Sequence, residues 1–106
     1  MSSLAVPVTA ADHHDGPLDA PMVLVEYGDY ECPYCGEAYP ELKATKAALG
    51  DELCFVFRNF PLAEIHPHAL HAAEFAELAA ESGKFWQAHD LLYEHQGSLG
   101  DRDLAI

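Results

Sequence analysis

The sequence predicts an α/β chain built on a parallel β-α-β unit and completed by helices. Three observations carry that reading. A short apolar run at residues 22–27 (Met-Val-Leu-Val-Glu-Tyr) stands between Pro21 and Gly28, which marks a strand. A second apolar run, residues 53–57 (Leu-Cys-Phe-Val-Phe), follows after a gap long enough for a crossover helix, so the two strands run parallel. Beyond Pro67 the apolar residues recur at helical spacing rather than in alternation.

Residues 1–21 open with Ala, Ser, Thr and Pro and continue Asp12-His13-His14-Asp15-Gly16-Pro17. Turn-rich sequence without periodicity predicts a flexible arm, with His13 and His14 solvated. Residues 22–27 are apolar on both faces and read as a buried strand. Residues 33–49 predict a helix: Pro33 suits a first helical position, where its missing N–H is not needed. Leu42, Lys46 and Leu49 have helical spacing, and Gly50 ends the run. Pro40 falls inside this helix and should kink it. Residues 53–57 form the second strand and residues 58–67 an irregular connection. A second helix is expected over residues 68–82, with Leu70, Phe75, Leu78 and Ala79 for one face, and Gly83 stops it. A third is expected over residues 84–96, carrying Phe85, Trp86, His89, Leu92 and Tyr93. Asp101 opens a helical stub over residues 101–106. The expected organisation is thus an arm (1–21) and one domain (22–106), divided into a β-α-β part (22–65) and a helical part (66–106).

A chain of 106 residues, half of them apolar, suffices for one folded domain and argues against disorder. Five basic residues face 18 acidic ones, for a formal charge of −13. That excludes a nucleic-acid partner, which needs a basic surface, and disfavours anionic lipid. No apolar run approaches the length of a membrane span. The start lacks the basic region and apolar core of a signal peptide, so the expected location is cytoplasmic.

Two of the three cysteines form Cys32-Pro33-Tyr34-Cys35. A lone C-x-x-C can hold half a zinc site or run thiol–disulfide chemistry. There is no second such pair, and Cys54 stands alone on the second strand, where a buried, inert thiol is expected. Cys32 follows a strand and opens a helix, where unpaired backbone N–H groups and the helix dipole favour a thiolate. Cys35 lies one turn further in, placed to resolve a mixed disulfide. The predicted roles are Cys32 as nucleophile and Cys35 as resolving thiol, with Pro33 and Tyr34 tuning the pair. No cofactor and no resident metal are expected on this reading. The alternatives are a metal-binding module using Cys32, Cys35 and histidines such as His66, His68 and His71, and a catalytically impaired, self-associating fragment. Tyr27, Tyr30, Tyr34 and Tyr39 surround the motif, either as a stacking rim for a peptide or as packing.

Residues 25–35 (Val-Glu-Tyr-Gly-Asp-Tyr-Glu-Cys-Pro-Tyr-Cys) resemble the active-site stretch of the thioredoxin superfamily, and most nearly its DsbA-like branch of disulfide oxidoreductases. Residues 55–62 (Phe-Val-Phe-Arg-Asn-Phe-Pro-Leu) are similar to the second strand and following loop of that branch. His66-Pro67-His68-Ala69 and Gly83-Lys84-Phe85-Trp86 are similar to parts of its helical insertion. Together these stretches span most of residues 16–106. The resemblance implies a thioredoxin-like fold and exchange of disulfides with protein or small-molecule thiols, as oxidant, reductant or isomerase. Family members place an acid six residues before the nucleophile, which Glu26 matches. Burial among Val23, Leu24 and Val25 would raise its pKa, and it could pass a proton to or from Cys35. Pro40 matches the proline that kinks the family's active-site helix. A similar module is also found fused to some sodium/proton antiporters. The family pattern continues with a cis-proline loop, two more strands and a last helix. Pro61 and Pro67 precede helical sequence and do not fit that loop, so this chain is expected to offer two strands of four. The open sheet edge and apolar faces this leaves predict self-association.

Overall fold

The computed structural model describes residues 6–100 and residue 104. Its elements are β1 (His13–Asp15), β2 (Met22–Gly28), α1 (Pro33–Leu49), β3 (Leu53–Asn59), α2 (Ala69–Ala80) and α3 (Phe85–Glu94), with a single 3-10 turn at Gly50–Glu52. β2 and β3 pair in parallel, with Leu24 opposite Phe55 and Glu26 opposite Phe57. The crossover between them is α1, as the spacing predicts.

The sheet has three strands rather than two, in the order β1-β3-β2. β1 lies in the segment expected to be a flexible arm and runs antiparallel to β3, with His14 opposite Val56. What fixes it there is distant in sequence. The His13 ring stacks on Phe85 at 3.7 Å, and its Nε2 meets the Glu77 carboxylate at 2.8 Å. Trp86 donates Nε1–H to the His14 carbonyl at 3.2 Å. Arg58 holds the Asp12 carboxylate at 2.8 and 3.0 Å and the carbonyls of Val6 and Pro7. His13 and His14 are therefore not a solvated pair.

β3 is buried continuously from Leu53 to Phe57, as expected of a central strand. β2, expected to be buried, is instead an edge strand: Met22, Val23, Leu24 and Tyr27 stay exposed, and Gly28 alone is buried. An apolar run on both faces predicts a strand but not its place in the sheet, and here β3 takes the middle. In α2 the buried face is Ala69, Ala72, Ala73 and Ala76, whereas Leu70 and Leu78 point outward. Small side chains let α2 approach its neighbours closely, so the alanines, not the leucines, mark the packed face. Of the expected stub at 101–106, Leu104 is helical and packs on the core; residues 101–103, 105 and 106 lie outside the described residues.

The core joins Phe55 and Phe57 of β3 to Tyr30, Phe85, Leu92, Tyr93 and Leu99. Within it lies His89, 3% exposed, with Phe57 at 4.6 Å, Trp86 at 5.0 Å and Tyr93 at 5.1 Å between ring centroids. Its Nδ1 and the Tyr30 hydroxyl are hydrogen-bonded at 2.9 Å. Burial, with smaller contributions from Lys46, His13 and Lys43 against the opposing Asp90, lowers the His89 pKa from 6.5 to about 4. In the unfolded chain the ring takes up its proton first. Its contribution is therefore complete above pH 6.5 and is lost as pH falls from 6.5 towards 4, amounting to roughly 3 kcal/mol. Thermal melts between pH 7 and 5 should show a falling Tm, and the His89→Leu chain, whatever its absolute Tm, a shallower slope.

Candidate active site

The chain leaves β2 at Gly28, turns through residues 29–31 and enters α1 at Pro33. Cys32 is the N-cap, extended at φ −70° and ψ 123°, and no side chain caps the first turn. Its carbonyl accepts the first helical hydrogen bond, from the Gly36 N–H at 3.0 Å. Pro33 takes the first helical position and Pro40 lies inside the helix, both as the sequence predicts. All three cysteines are unbridged; Cys32 and Cys35 are half-buried, and Cys54 is buried.

The two thiols of the motif differ in surroundings. Cys35 packs against the aromatic core. Burial pushes its thiol above the usual range, helped by negative charge at Cys32 and Glu26 and opposed by a hydrogen bond from the Asp29 backbone. Glu26 is half-buried on β2, opposite Phe57, and desolvation raises its carboxyl above 4.5. The structure thus brings Glu26 within electrostatic reach of Cys35. Tyr34 projects outward, 80% exposed.

The other tyrosines divide. Tyr30 is buried, and Tyr39 stacks on Tyr93 at 5.3 Å, so both are packing. Tyr27 is exposed, edge-on to Phe60, and its hydroxyl accepts from Arg58 at 2.8 Å. The histidine cluster is also divided. His66 meets the Asp29 carboxylate at 2.7 Å, and the His68 N–H donates to Glu31 Oε1 at 2.7 Å. Among the described residues no three His, Cys, Asp or Glu side chains converge as metal ligands, so the metal-binding alternative draws no support from the geometry.

Three groups that sequence reasoning missed hold the motif loop. Asp29, 3% exposed, accepts from the Glu31 N–H at 2.8 Å through Oδ1, and from the Leu62 N–H at 2.9 Å and His66 Nδ1 at 2.7 Å through Oδ2. Glu31 ties the same loop to the start of α2. From beyond α3, the Gln96 carboxamide donates to the carbonyls of Tyr30 at 3.0 Å and Cys32 at 2.7 Å. A Cβ at residue 36 would meet the end of that carboxamide and displace it. The Asp29 turn had a local signal, a short acid bonding the backbone two residues on; Gln96 had none.

A family model described as thioredoxin matches residues 9–105. The chain belongs to the thioredoxin family. Its fold is DsbA-like. DsbA2 of Pseudomonas aeruginosa is 31% identical with a TM-score of 0.71, over 89% of this chain and 52% of that one. The thiol-disulfide exchange protein alpha-DsbA2 of Wolbachia pipientis shares the fold, with a TM-score of 0.76 at 21% identity over 91% of this chain and 50% of that one. Among curated proteins, the Na(+)/H(+) antiporter NhaA 1 of Salinispora arenicola is 50% identical over 104 residues, covering 95% of this chain and 16% of its own length. This thioredoxin-family chain therefore spans about half of the solved structures and a sixth of the antiporter. No helix among its described residues is long and apolar enough to cross a membrane.

Removing the Asp29 carboxylate leaves two backbone N–H groups and His66 without their acceptor. Asp29→Ala should lower stability by about 2–4 kcal/mol in urea unfolding.

Proposed function

We propose that this chain is a thiol–disulfide oxidoreductase acting on protein or small-molecule thiols through Cys32 and Cys35. The observation that carries the reading is the asymmetry of the pair: Cys32 is the N-cap of α1, beside its unpaired N–H groups, while Cys35 lies one turn further in and packs against the aromatic core. The Cys32 thiolate attacks a substrate disulfide, forms a mixed disulfide and releases one substrate thiolate. Cys35 then gives its proton to the Glu26 carboxylate and attacks the Cys32 sulfur. The Cys32–Cys35 bond forms as the bond to substrate breaks, and the second substrate thiolate takes up the proton. The substrate is reduced to a dithiol and the protein is oxidised; the reverse course oxidises a substrate. Exposed Tyr34 supports a role at the face that meets the substrate, and Pro33 one in shaping the helix start. Isomerase activity finds no support in the family match or the structural neighbours. The proposal extends to a reducing cytoplasmic setting, where the pair would rest as a dithiol.

Insulin reduction tests the scheme. Cys32→Ser should abolish it and Cys54→Ser leave it unchanged; equal activity in the Cys32→Ser chain overturns the mechanism. Glu26→Gln should slow resolution of the mixed disulfide on the order of 100-fold. Glu26 accepts a proton only when ionised, so the resolution rate should fall as pH drops through its raised pKa, and Glu26→Gln should lack that limb.

The exposed apolar edge of β2 supports pairing of two copies of this chain, strand to strand. Sedimentation should show a dimer that Val23→Lys dissociates; a monomer at every concentration removes this part of the proposal.

A further inference from the structure

The Tyr93 hydroxyl has no part in the exchange scheme above. Tyr93 lies on α3, 7% exposed. Its ring is enclosed by Tyr30 at 4.8 Å, Tyr39 at 5.3 Å, His89 at 5.1 Å and Phe57 at 6.3 Å between centroids. Its hydroxyl oxygen is buried and makes no hydrogen bond among the described residues. Native structures seldom leave such a group unpaired, and an exception calls for a cause.

The position of that oxygen supplies one. It lies under the motif, so close to β2 that a Cβ at Gly28 would stand 3.0 Å from it. Gly28 is two residues beyond Glu26 on the same strand, and Cys35 packs against the cluster that contains Tyr93. Burial first, then negative charge at Glu26 and at Cys35, holds the Tyr93 hydroxyl protonated well above its ordinary range. It is therefore a permanent donor, and the sulfur it is set against, that of Cys35, is only a weak acceptor while it is a thiol. The thiolate of Cys35, by contrast, is short of partners: burial disfavours it, and the Asp29 backbone is what counters that.

We propose that the Tyr93 hydroxyl donates a hydrogen bond to the Cys35 thiolate formed as the mixed disulfide is resolved. The assignment rests on the exchange reading. The proton of Cys35 passes to Glu26, the Tyr93 O–H turns to the bare sulfur, and Tyr93 keeps its own proton throughout. As the Cys35–Cys32 bond forms, the sulfur loses its charge and the donor is released. Tyr93 lowers the cost of the charged sulfur, Glu26 takes the proton, and neither can replace the other.

The test reads the thiol directly and needs no exchange activity. In the Cys32→Ser, Cys54→Ser chain Cys35 is the one remaining thiol, and carbon-13 NMR of its Cβ follows its ionisation with pH. Adding Tyr93→Phe should raise the midpoint by about one unit, a roughly tenfold loss of thiolate at a given pH. An unchanged midpoint overturns the proposal. Should Tyr93→Phe fail to fold, the chain that keeps Tyr93 still decides: the Tyr93 Cζ signal should move with the midpoint of Cys35, and a signal that ignores that titration overturns it. In the chain that keeps all three cysteines, Tyr93→Phe should leave the alkylation rate of Cys32 unchanged and slow resolution about tenfold. Equal slowing of both steps would mark a general structural loss instead. If the midpoint shifts as stated but insulin is never reduced, the exchange reading falls while the Tyr93–Cys35 contact stands.

Discussion

The position of β3 is the constraint on which the rest depends. Its hydrogen-bonding edges are taken by β1 on one side and β2 on the other, and its side chains from Leu53 to Phe57 are buried on both faces. A strand with no free edge and no free face fixes everything that touches it. The parallel register sets Glu26 opposite Phe57 and so brings the carboxyl to the side where Phe57 meets Tyr30 and Tyr93. The crossover helix must then begin just past the end of β2, which is where Cys32 lies. The placement of acid and thiols follows from sheet geometry, not from contacts chosen one at a time.

Much of this was legible in the sequence because it is written locally. Pro33 and Gly50 bracket α1 at the expected residues, and the apolar run at 53–57 marked the second strand of the β-α-β unit. The spacing of Cys32 and Cys35 and their place at the start of a helix were also visible, and on these the exchange proposal rests. What was not legible depends on partners far along the chain. β1 has no periodicity of its own; it becomes a strand through Phe85, Trp86, Glu77 and Arg58. The edge position of β2 could not be told from a central one, since an apolar run describes the strand and not its neighbours. On α2, size rather than hydrophobicity chose the packed face.

The site shows the same division. The two cysteines of the motif stood out in the sequence, whereas the groups that hold their loop did not. Asp29 and Glu31 reach forward to the connection before α2. Gln96 reaches back from beyond α3 to the carbonyl of Cys32 itself. The helical part of the chain is thus more than a cover over the sheet. It supplies the polar anchors of the motif and the aromatic floor beneath Cys35.

The Gln96 contact also bears on the order in which the protein is made. It joins residues 64 positions apart. During synthesis Cys32 and Cys35 leave the ribosome long before Gln96 exists, so for that interval the motif loop lacks its carboxamide clamp. Long-range contacts form late because their loop entropy must be met first. The motif loop therefore gains this clamp only after residue 96 has been added. Until then its reactivity is that of two cysteines in a nascent polypeptide.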